Sequence, residues 1–138
     1  MRAHTFNAGP TVSVGIDLVD VREVAESISR FGDRYLRRVY TAGEIAYARQ
    51  APGETARRLA ARFAAKEATL KALGAPNRGI GWRSIEVVVS PEGAPGMALS
   101  AAAQRAARTA GVSSLAVSLT HQGDLAAAVV VAERRRVS

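Results

Sequence analysis

Hydrophobic and polar positions alternate in the first structured stretch of the chain and then follow a helical period. Between Val12 and Asp17 apolar residues alternate with small or polar ones, which predicts a half-buried strand that ends near Asp17. Residues 21–30 have apolar positions three or four apart and predict a helix, which Gly32 ends. Residues 30–41 then predict a short helical turn that is dense in arginine.

Two capping boxes mark the starts of helices in this part of the chain. Asp20 and Glu23 have capping-box spacing just before the helix at 21–30. Thr41 and Glu44 have the same spacing and predict a further helix that runs to about residue 50.

The strongest helical pattern is the stretch RRLAARFAAKEATLKALG at residues 57–74. It has no proline or internal glycine, is rich in alanine and leucine, and closes at Gly74. A helical projection predicts an apolar stripe of Leu59, Phe63, Leu70 and Leu73. Lys66 projects from the middle of this stripe. Because lysine is almost never buried without a partner, Lys66 must meet an anion, which is either another protein group or a bound phosphate.

Glu67 and Lys71 lie along the edge of the same stripe, and two interpretations of them are open. On a solvated helix they would form an i,i+4 ion pair that contributes roughly 0.2–0.5 kcal/mol to stability. Alternatively, both side chains have a chemical role.

The second half of the chain predicts mainly β-structure. Residues 84–90 predict a strand, whereas the apolar segment 97–99 is too short for a prediction. Ser100 precedes a predicted amphipathic helix that ends at Gly111. Two strands, at 115–120 and 125–133, are joined by HQGD and predict a hairpin.

Composition narrows the possible classes of protein. The chain has 138 residues, 48% of them hydrophobic, which suits one domain with a real core. It has no cysteine, which excludes a disulfide framework or a thiolate metal site. The formal charge of +7 indicates a polyanionic partner, which could be a nucleic acid, a phosphate-bearing small molecule or an acidic protein.

The chain also suggests its own boundaries and location. We expect residues 1–11 to be a loose leader, residues 12–133 to form the single domain, and residues 134–138 to be a basic tail. No apolar run approaches the ~18 residues of a membrane span, and the first residues lack the apolar segment of a signal peptide. We therefore expect a cytoplasmic protein with no membrane partner.

Three motifs resemble one family when they are taken together. They are GID at 15–17, RFAAKEATLK at 62–71 and SLTH at 118–121. Their order and spacing resemble those of the holo-acyl-carrier-protein synthases, the short group of 4′-phosphopantetheinyl transferases, and the similarity runs from about Val12 to Glu133. The most specific motif is RFAAKEA with a second lysine four residues beyond its glutamate.

The resemblance implies both a fold and an activity. The fold would be α+β, with a first strand, a helical middle, an antiparallel sheet and a further helix, assembled as a homotrimer with its active site between neighbours. The activity would be Mg²⁺-dependent transfer of phosphopantetheine from coenzyme A to a serine of an apo acyl carrier protein, as in fatty acid biosynthesis. Adenosine 3′,5′-bisphosphate would be released.

The resemblance also assigns roles to particular residues. By motif match, Asp17 and Glu67 would hold Mg²⁺ on the diphosphate of coenzyme A, and Lys71 would stabilise charge on the bridging or leaving oxygen. Mg²⁺ does prefer one or two carboxylates together with substrate phosphates and water. The phosphate ligands of coenzyme A would be Lys66, Arg62 and His121.

Carrier recognition follows the family less closely. Family members commonly have a basic residue six positions after the metal-binding aspartate, but Glu23 occupies that position here. The resemblance then points to Arg22 beside it, or to the arginines of the next segment, Arg34, Arg37 and Arg38. The competing interpretation is a small basic module that binds nucleic acid or an acidic protein, in which the 57–74 helix is merely salt-bridged. The enzyme interpretation expects no nucleic-acid partner.

Overall fold

A computed structural model describes residue 3 and residues 11–75 and 79–135 of the chain. The elements are β1 (Val12–Asp20), α1 (Val21–Phe31), α2 (Asp33–Val39), α3 (Ala42–Arg49), α4 (Thr55–Leu73), a 3₁₀ turn (Trp82–Ser84), β2 (Ile85–Val89), β3 (Pro95–Leu99), α5 (Ala101–Thr109), β4 (Val112–Gln122) and β5 (Leu125–Arg134). One antiparallel sheet has the order β1-β5-β4, and β2 pairs with β3 in a separate hairpin. The α+β class is thereby confirmed. Most of the predicted leader and the end of the predicted tail lie outside the described residues.

The local signals at the helix ends predicted the first half of the fold correctly. The Asp20 side chain caps α1 by accepting a hydrogen bond from the Arg22 backbone N–H at 2.9 Å. Gly32, with a φ of +55°, ends that helix. At α3 both reciprocal hydrogen bonds of the capping box between Thr41 and Glu44 are present.

Helix α4 lies at the centre of the molecule, against β1 and β5. The face of β1 that meets it carries small residues. Ser13 Oγ donates a hydrogen bond of 2.6 Å to the Ala72 carbonyl, and a Cβ at Gly15 would come within 1.9 Å of the Ala68 carbonyl oxygen. Only glycine therefore allows strand and helix this close, and the contact fixes Asp17, two residues further on, beside α4.

The apolar face of β1 consequently points away from the core of this chain. Val14, Ile16 and Leu18 are 60%, 59% and 65% exposed, respectively. The alternation along β1 predicted two faces correctly, but the buried one is the face of small residues.

The β4–β5 hairpin matches its prediction. A two-residue turn at Gly123 and Asp124 joins the strands, and Gly123 has the positive φ of 59° that such a turn requires. The hairpin places His121 close to the turn. None of the helices in the described part of the chain combines the length and apolar character that a membrane crossing needs.

Candidate active site

Helix α4 is buried on every side except one. Between Leu59 and Leu73 all residues are buried apart from Phe63, Glu67 and Lys71. Their spacing of four places them one above another on a single side of the helix. We call these three residues the open stripe. Phe63, which the helical projection grouped with the buried leucines, therefore lies beside Glu67 and Lys71 instead.

Asp17 meets the open stripe from β1. The Lys71 ammonium lies 3.0 Å from Asp17 Oδ1 and also donates a hydrogen bond of 3.0 Å to the Ile16 carbonyl. The Asp17 side chain is 13% exposed, whereas that of Lys71 is 56% exposed. The fold thus brings Asp17, Glu67 and Lys71 together, as predicted.

The two carboxylates of this site are close enough to influence each other. The pKa of Glu67 is raised from its ordinary 4.5 to about 7, mainly by partial burial and also by the hydrogen-bonding contact and charge of Asp17, while Lys71 opposes the change. Among the described residues no cluster of three or more acidic, histidine or cysteine side chains completes a metal site. Two carboxylates with the other positions left to water and phosphate oxygens fit Mg²⁺.

An aromatic pair closes one end of the open stripe. The rings of Phe63 and Trp82 pack with their centroids 5.0 Å apart. Sequence reasoning missed this wall. The available signals were the position of Phe63 one helical turn before Glu67 and the presence of a single tryptophan just after the glycine-rich loop.

Lys66 has a different role from the one expected. Its side chain is 0% exposed, and its ammonium donates hydrogen bonds to Glu44 Oε1 at 2.6 Å, to the Trp82 carbonyl at 3.1 Å and to the Ile85 carbonyl. All three of its donors are used inside the protein. Of the two anions that the sequence left open, the protein group is the one observed. The expectation that Lys66 binds a phosphate of coenzyme A is therefore wrong.

Glu44 extends this buried contact into a network. Its Oε2 accepts a hydrogen bond from the Val87 backbone N–H at 3.0 Å, and its Oε1 also accepts one from the Thr41 N–H at 3.0 Å. Burial lowers the pKa of Lys66, and the charge of Glu44 opposes that change. We call the contacts of Lys66 and Glu44 the buried network. It joins α3, α4 and the start of β2, and sequence reasoning missed it because the capping box already accounted for Glu44.

Arg62 is not on the open stripe. It is 4% exposed, and its guanidinium stacks 4.2 Å from the centre of the Tyr47 ring and donates a hydrogen bond of 3.3 Å to the Arg58 carbonyl. Burial lowers its pKa. Its Nε is buried without a partner among the described residues, and the side chain lines a separate cleft of about 360 Å³ next to Val87.

His121 is exposed near the end of β4, and β5 separates it from Asp17. Asp17 pairs with Ala128, which pairs with Leu119, so the two side chains are roughly 10 Å or more apart across the sheet. Within one chain the structure does not bring His121 to the carboxylates.

The predicted carrier contacts fall into two groups. Arg22 is engaged locally, since its guanidinium lies 2.9 Å from Asp20 and 3.8 Å from Asp124. The three arginines of α2 are all exposed; they are Arg34, Arg37 and Arg38.

Comparisons with known proteins show which family the sequence and fold resemble. A family model described as "4'-phosphopantetheinyl transferase superfamily" matches residues 13–130. A holo-[acyl-carrier-protein] synthase of Solibacter usitatus is 42% identical over 123 residues, which cover 88% of this chain and 98% of the relative. The crystal structure of holo-[acyl-carrier-protein] synthase from Neisseria meningitidis has a TM-score of 0.79 and 32% identity, and the match covers 88% of this chain and 98% of that one. The Helicobacter pylori synthase in complex with coenzyme A has a TM-score of 0.76 and 29% identity, and the match covers 87% and 99% of the two chains.

Proposed function

The chain belongs to the 4′-phosphopantetheinyl transferase superfamily, and we propose that it performs its transfer along the open stripe of α4. It is a holo-acyl-carrier-protein synthase, which moves phosphopantetheine from coenzyme A to a serine of an apo acyl carrier protein. The observation that carries the proposed site is the contact between Asp17 and Glu67 beside Lys71, on the one side of α4 that is open.

We propose that Asp17 and Glu67 hold Mg²⁺ together with the diphosphate of coenzyme A. The contact between Glu67 and Asp17 supports this, because a divalent cation bound by both would stabilise the two carboxylates in their charged forms. When bound, the ion polarises the diphosphate and stabilises the charge that develops during transfer.

Lys71 suits the role of neutralising the leaving group. Its ammonium is more than half exposed and lies at the carboxylate end of the open stripe. An ammonium in this position can stabilise negative charge on the bridging oxygen as the bond to phosphorus breaks, and can donate a proton to the leaving oxygen. The Ile16 carbonyl and Asp17 orient it.

We propose that a homotrimer completes the site. One chain leaves Val14, Ile16 and Leu18 of β1 more than half exposed, which is the kind of surface that another protein copy covers. One chain also leaves His121 apart from Asp17. If His121 binds a phosphate of coenzyme A, as its motif implies, a neighbouring copy is the natural source of that contact. Arg62, whose Nε lacks a partner in the described chain, remains the second proposed phosphate ligand.

A non-catalytic basic module explains the site less well. Such a module would bind its partner through exposed arginines and would not need a carboxylate of β1 in contact with a carboxylate on the open side of α4. The similarity to synthases over nearly the whole domain also favours the enzyme.

Intact-mass spectrometry tests the proposed function. An apo acyl carrier protein incubated with this protein, coenzyme A and Mg²⁺ should gain the mass of one phosphopantetheine. Omission of Mg²⁺, or the Glu67→Gln variant, should prevent most of the gain. A carrier whose mass stays unchanged with the unmodified protein would refute the proposal.

Sedimentation tests the trimer separately. The protein at micromolar concentration should sediment as a trimer, and Ile16→Asp should dissociate it and abolish transfer together. A monomer that is fully active would contradict the shared site.

A further inference from the structure

Two aromatic side chains stand at the N-terminal end of the open stripe, and the transfer chemistry described above makes no use of them. They are Phe63 and Trp82, whose ring centroids are 5.0 Å apart with their planes inclined at 56°. We call them the aromatic wall. Both side chains are half-buried, so each ring packs on the core and still presents part of its surface to the site.

The aromatic wall is fixed in place from behind. Phe63 belongs to α4 itself, and the Trp82 ring packs against a small core that includes Leu70 and Ile85. The Trp82 carbonyl accepts a hydrogen bond of 3.1 Å from the buried ammonium of Lys66. An apolar surface that is already ordered loses little conformational freedom when a ligand arrives. The wall is therefore suited to recognise an apolar group of defined shape.

The order of residues along the open stripe gives the site a direction. Phe63, Glu67 and Lys71 are four residues apart, and a helix rises 1.5 Å per residue, so neighbours lie about 6 Å apart along α4. The proposed function places Mg²⁺ and the diphosphate at Glu67 and the leaving oxygen at Lys71. The nucleotide, which leaves, then belongs at the Lys71 end, and the group that stays on the transferred phosphorus belongs at the wall.

The structure of coenzyme A suits this direction. On the pantetheine side of the diphosphate, the ester oxygen and one methylene lead to a carbon that carries two methyl groups. Beyond it the arm is polar, with a hydroxyl and two amides. On the other side the diphosphate continues into a ribose, which is also polar. The dimethyl carbon is thus the bulky apolar group nearest the phosphorus, and it is on the side that is retained.

We propose that Phe63 and Trp82 bind the dimethyl carbon of coenzyme A and thereby select the group that is transferred. The inference rests on the proposed function, because the positions of Glu67 and Lys71 assign the wall to the retained side. Methyl groups that pack on the two rings are removed from water, which favours binding. The same contact holds the phosphorus in position beside Glu67 for attack by the carrier serine.

Fluorescence tests the location of the wall without turnover. Trp82 is the only tryptophan of the chain, so the emission reports on this position alone. Coenzyme A and 4′-phosphopantetheine should each change the emission. Adenosine 3′,5′-bisphosphate, at concentrations that displace coenzyme A, should change it much less. An equal or larger change with the bisphosphate would assign the wall to the nucleotide and overturn the inference, as would unchanged emission when coenzyme A saturates the protein.

A coenzyme A analogue in which both methyl groups are replaced by hydrogen tests the recognition itself. With the unmodified protein, kcat/KM for this analogue should be about tenfold lower than for coenzyme A, because two buried methyl groups are lost. Phe63→Ala and Trp82→Ala should each reduce this ratio to about threefold or less, since either variant loses the contact with the methyl groups. The ratio compares two substrates on one protein preparation, so a partly unfolded variant does not distort it.

A matched variant removes an aromatic ring outside the wall. Phe31 lies at the end of α1 and is 52% exposed, and Phe31→Ala should keep the ratio at about tenfold. A ratio near one for the unmodified protein, or a tenfold ratio that persists in both wall variants, would overturn the inference. If the unmodified protein transfers no phosphopantetheine, the proposed function has failed, and the fluorescence comparison still decides whether the wall binds the pantetheine side.

Discussion

Helix α4 carries two lysines five positions apart, and each forms an ion pair of a different kind. Lys66 and Glu44 lie 2.6 Å apart with both side chains 0% exposed. Lys71 and Asp17 lie 3.0 Å apart with side chains 56% and 13% exposed. The first pair is sealed among three elements of the core, and the second faces the open side of the helix.

The difference indicates how one short motif serves two purposes. A buried charge that loses its partner costs about 3–5 kcal/mol, because it is left without water or counter-charge. An exposed pair contributes about 1 kcal/mol or less, so its members can exchange partners at little cost. Lys66 is therefore suited to hold α4 against α3 and β2, whereas Lys71 is suited to leave Asp17 for a phosphate.

Replacement of each lysine by methionine should give the largest difference in stability between the two ion pairs. Lys66→Met leaves Glu44 buried without its cation and should lower the free energy of unfolding by about 3–5 kcal/mol. Lys71→Met should change it by less than about 1 kcal/mol but should reduce turnover. Urea unfolding followed by circular dichroism measures the first quantity. Equal stability losses at the two positions would remove the distinction.

The two carboxylates beside Lys71 should show their role through turnover. Asp17→Asn and Glu67→Gln preserve shape but remove charge that a hard cation needs, so each should lower kcat at least about a hundredfold with the fold intact. Because both would hold one ion, the double variant should lose little more than the worse single variant. Raised Mg²⁺ should partly rescue each single variant, and losses that multiply would indicate independent roles.

A smaller effect should appear in the dependence of stability on pH. The pKa of Glu67 is raised from 4.5 to about 7 in the folded protein, so between these values the folded state binds more protons than the unfolded state. The free energy of unfolding of the metal-free protein should then fall as the pH rises through this window. Subtracting the same curve for Glu67→Gln isolates the contribution of this group. A difference curve that is flat or that rises with pH would show that the pKa of Glu67 is not raised.

Local chemistry explains why much of the fold could be predicted from the sequence. The capping box at Thr41, the glycine turn at Gly123 and the alanine-rich stretch of α4 each depend on neighbours in sequence. The grouping of Asp17, Glu67 and Lys71 was also predicted, but it depended on the resemblance to a family and not on periodicity.

What the sequence could not determine depends on contacts between distant residues. Alternation along β1 defines two faces, but only the approach of Gly15 to Ala68 shows which face is buried. The position of Lys66 showed that it needed an anion, but Glu44, 22 residues earlier, was already explained by its capping box. A residue that serves two contacts at once gives no sequence signal for the second.

One measurement directly tests the claim that α4 has a buried structural side and an open catalytic side. It compares the same substitution, glutamate to glutamine, in the buried network and on the open stripe. Glu44→Gln should lower the free energy of unfolding by at least about 2 kcal/mol, and kcat per folded molecule should stay within about threefold of the unmodified enzyme. Glu67→Gln should leave stability unchanged or slightly raised, and should lower kcat at least about a hundredfold. A folded Glu44→Gln variant that loses turnover as Glu67→Gln does, or a Glu67→Gln variant that is markedly less stable, would contradict the division of α4 into a buried support and an open site.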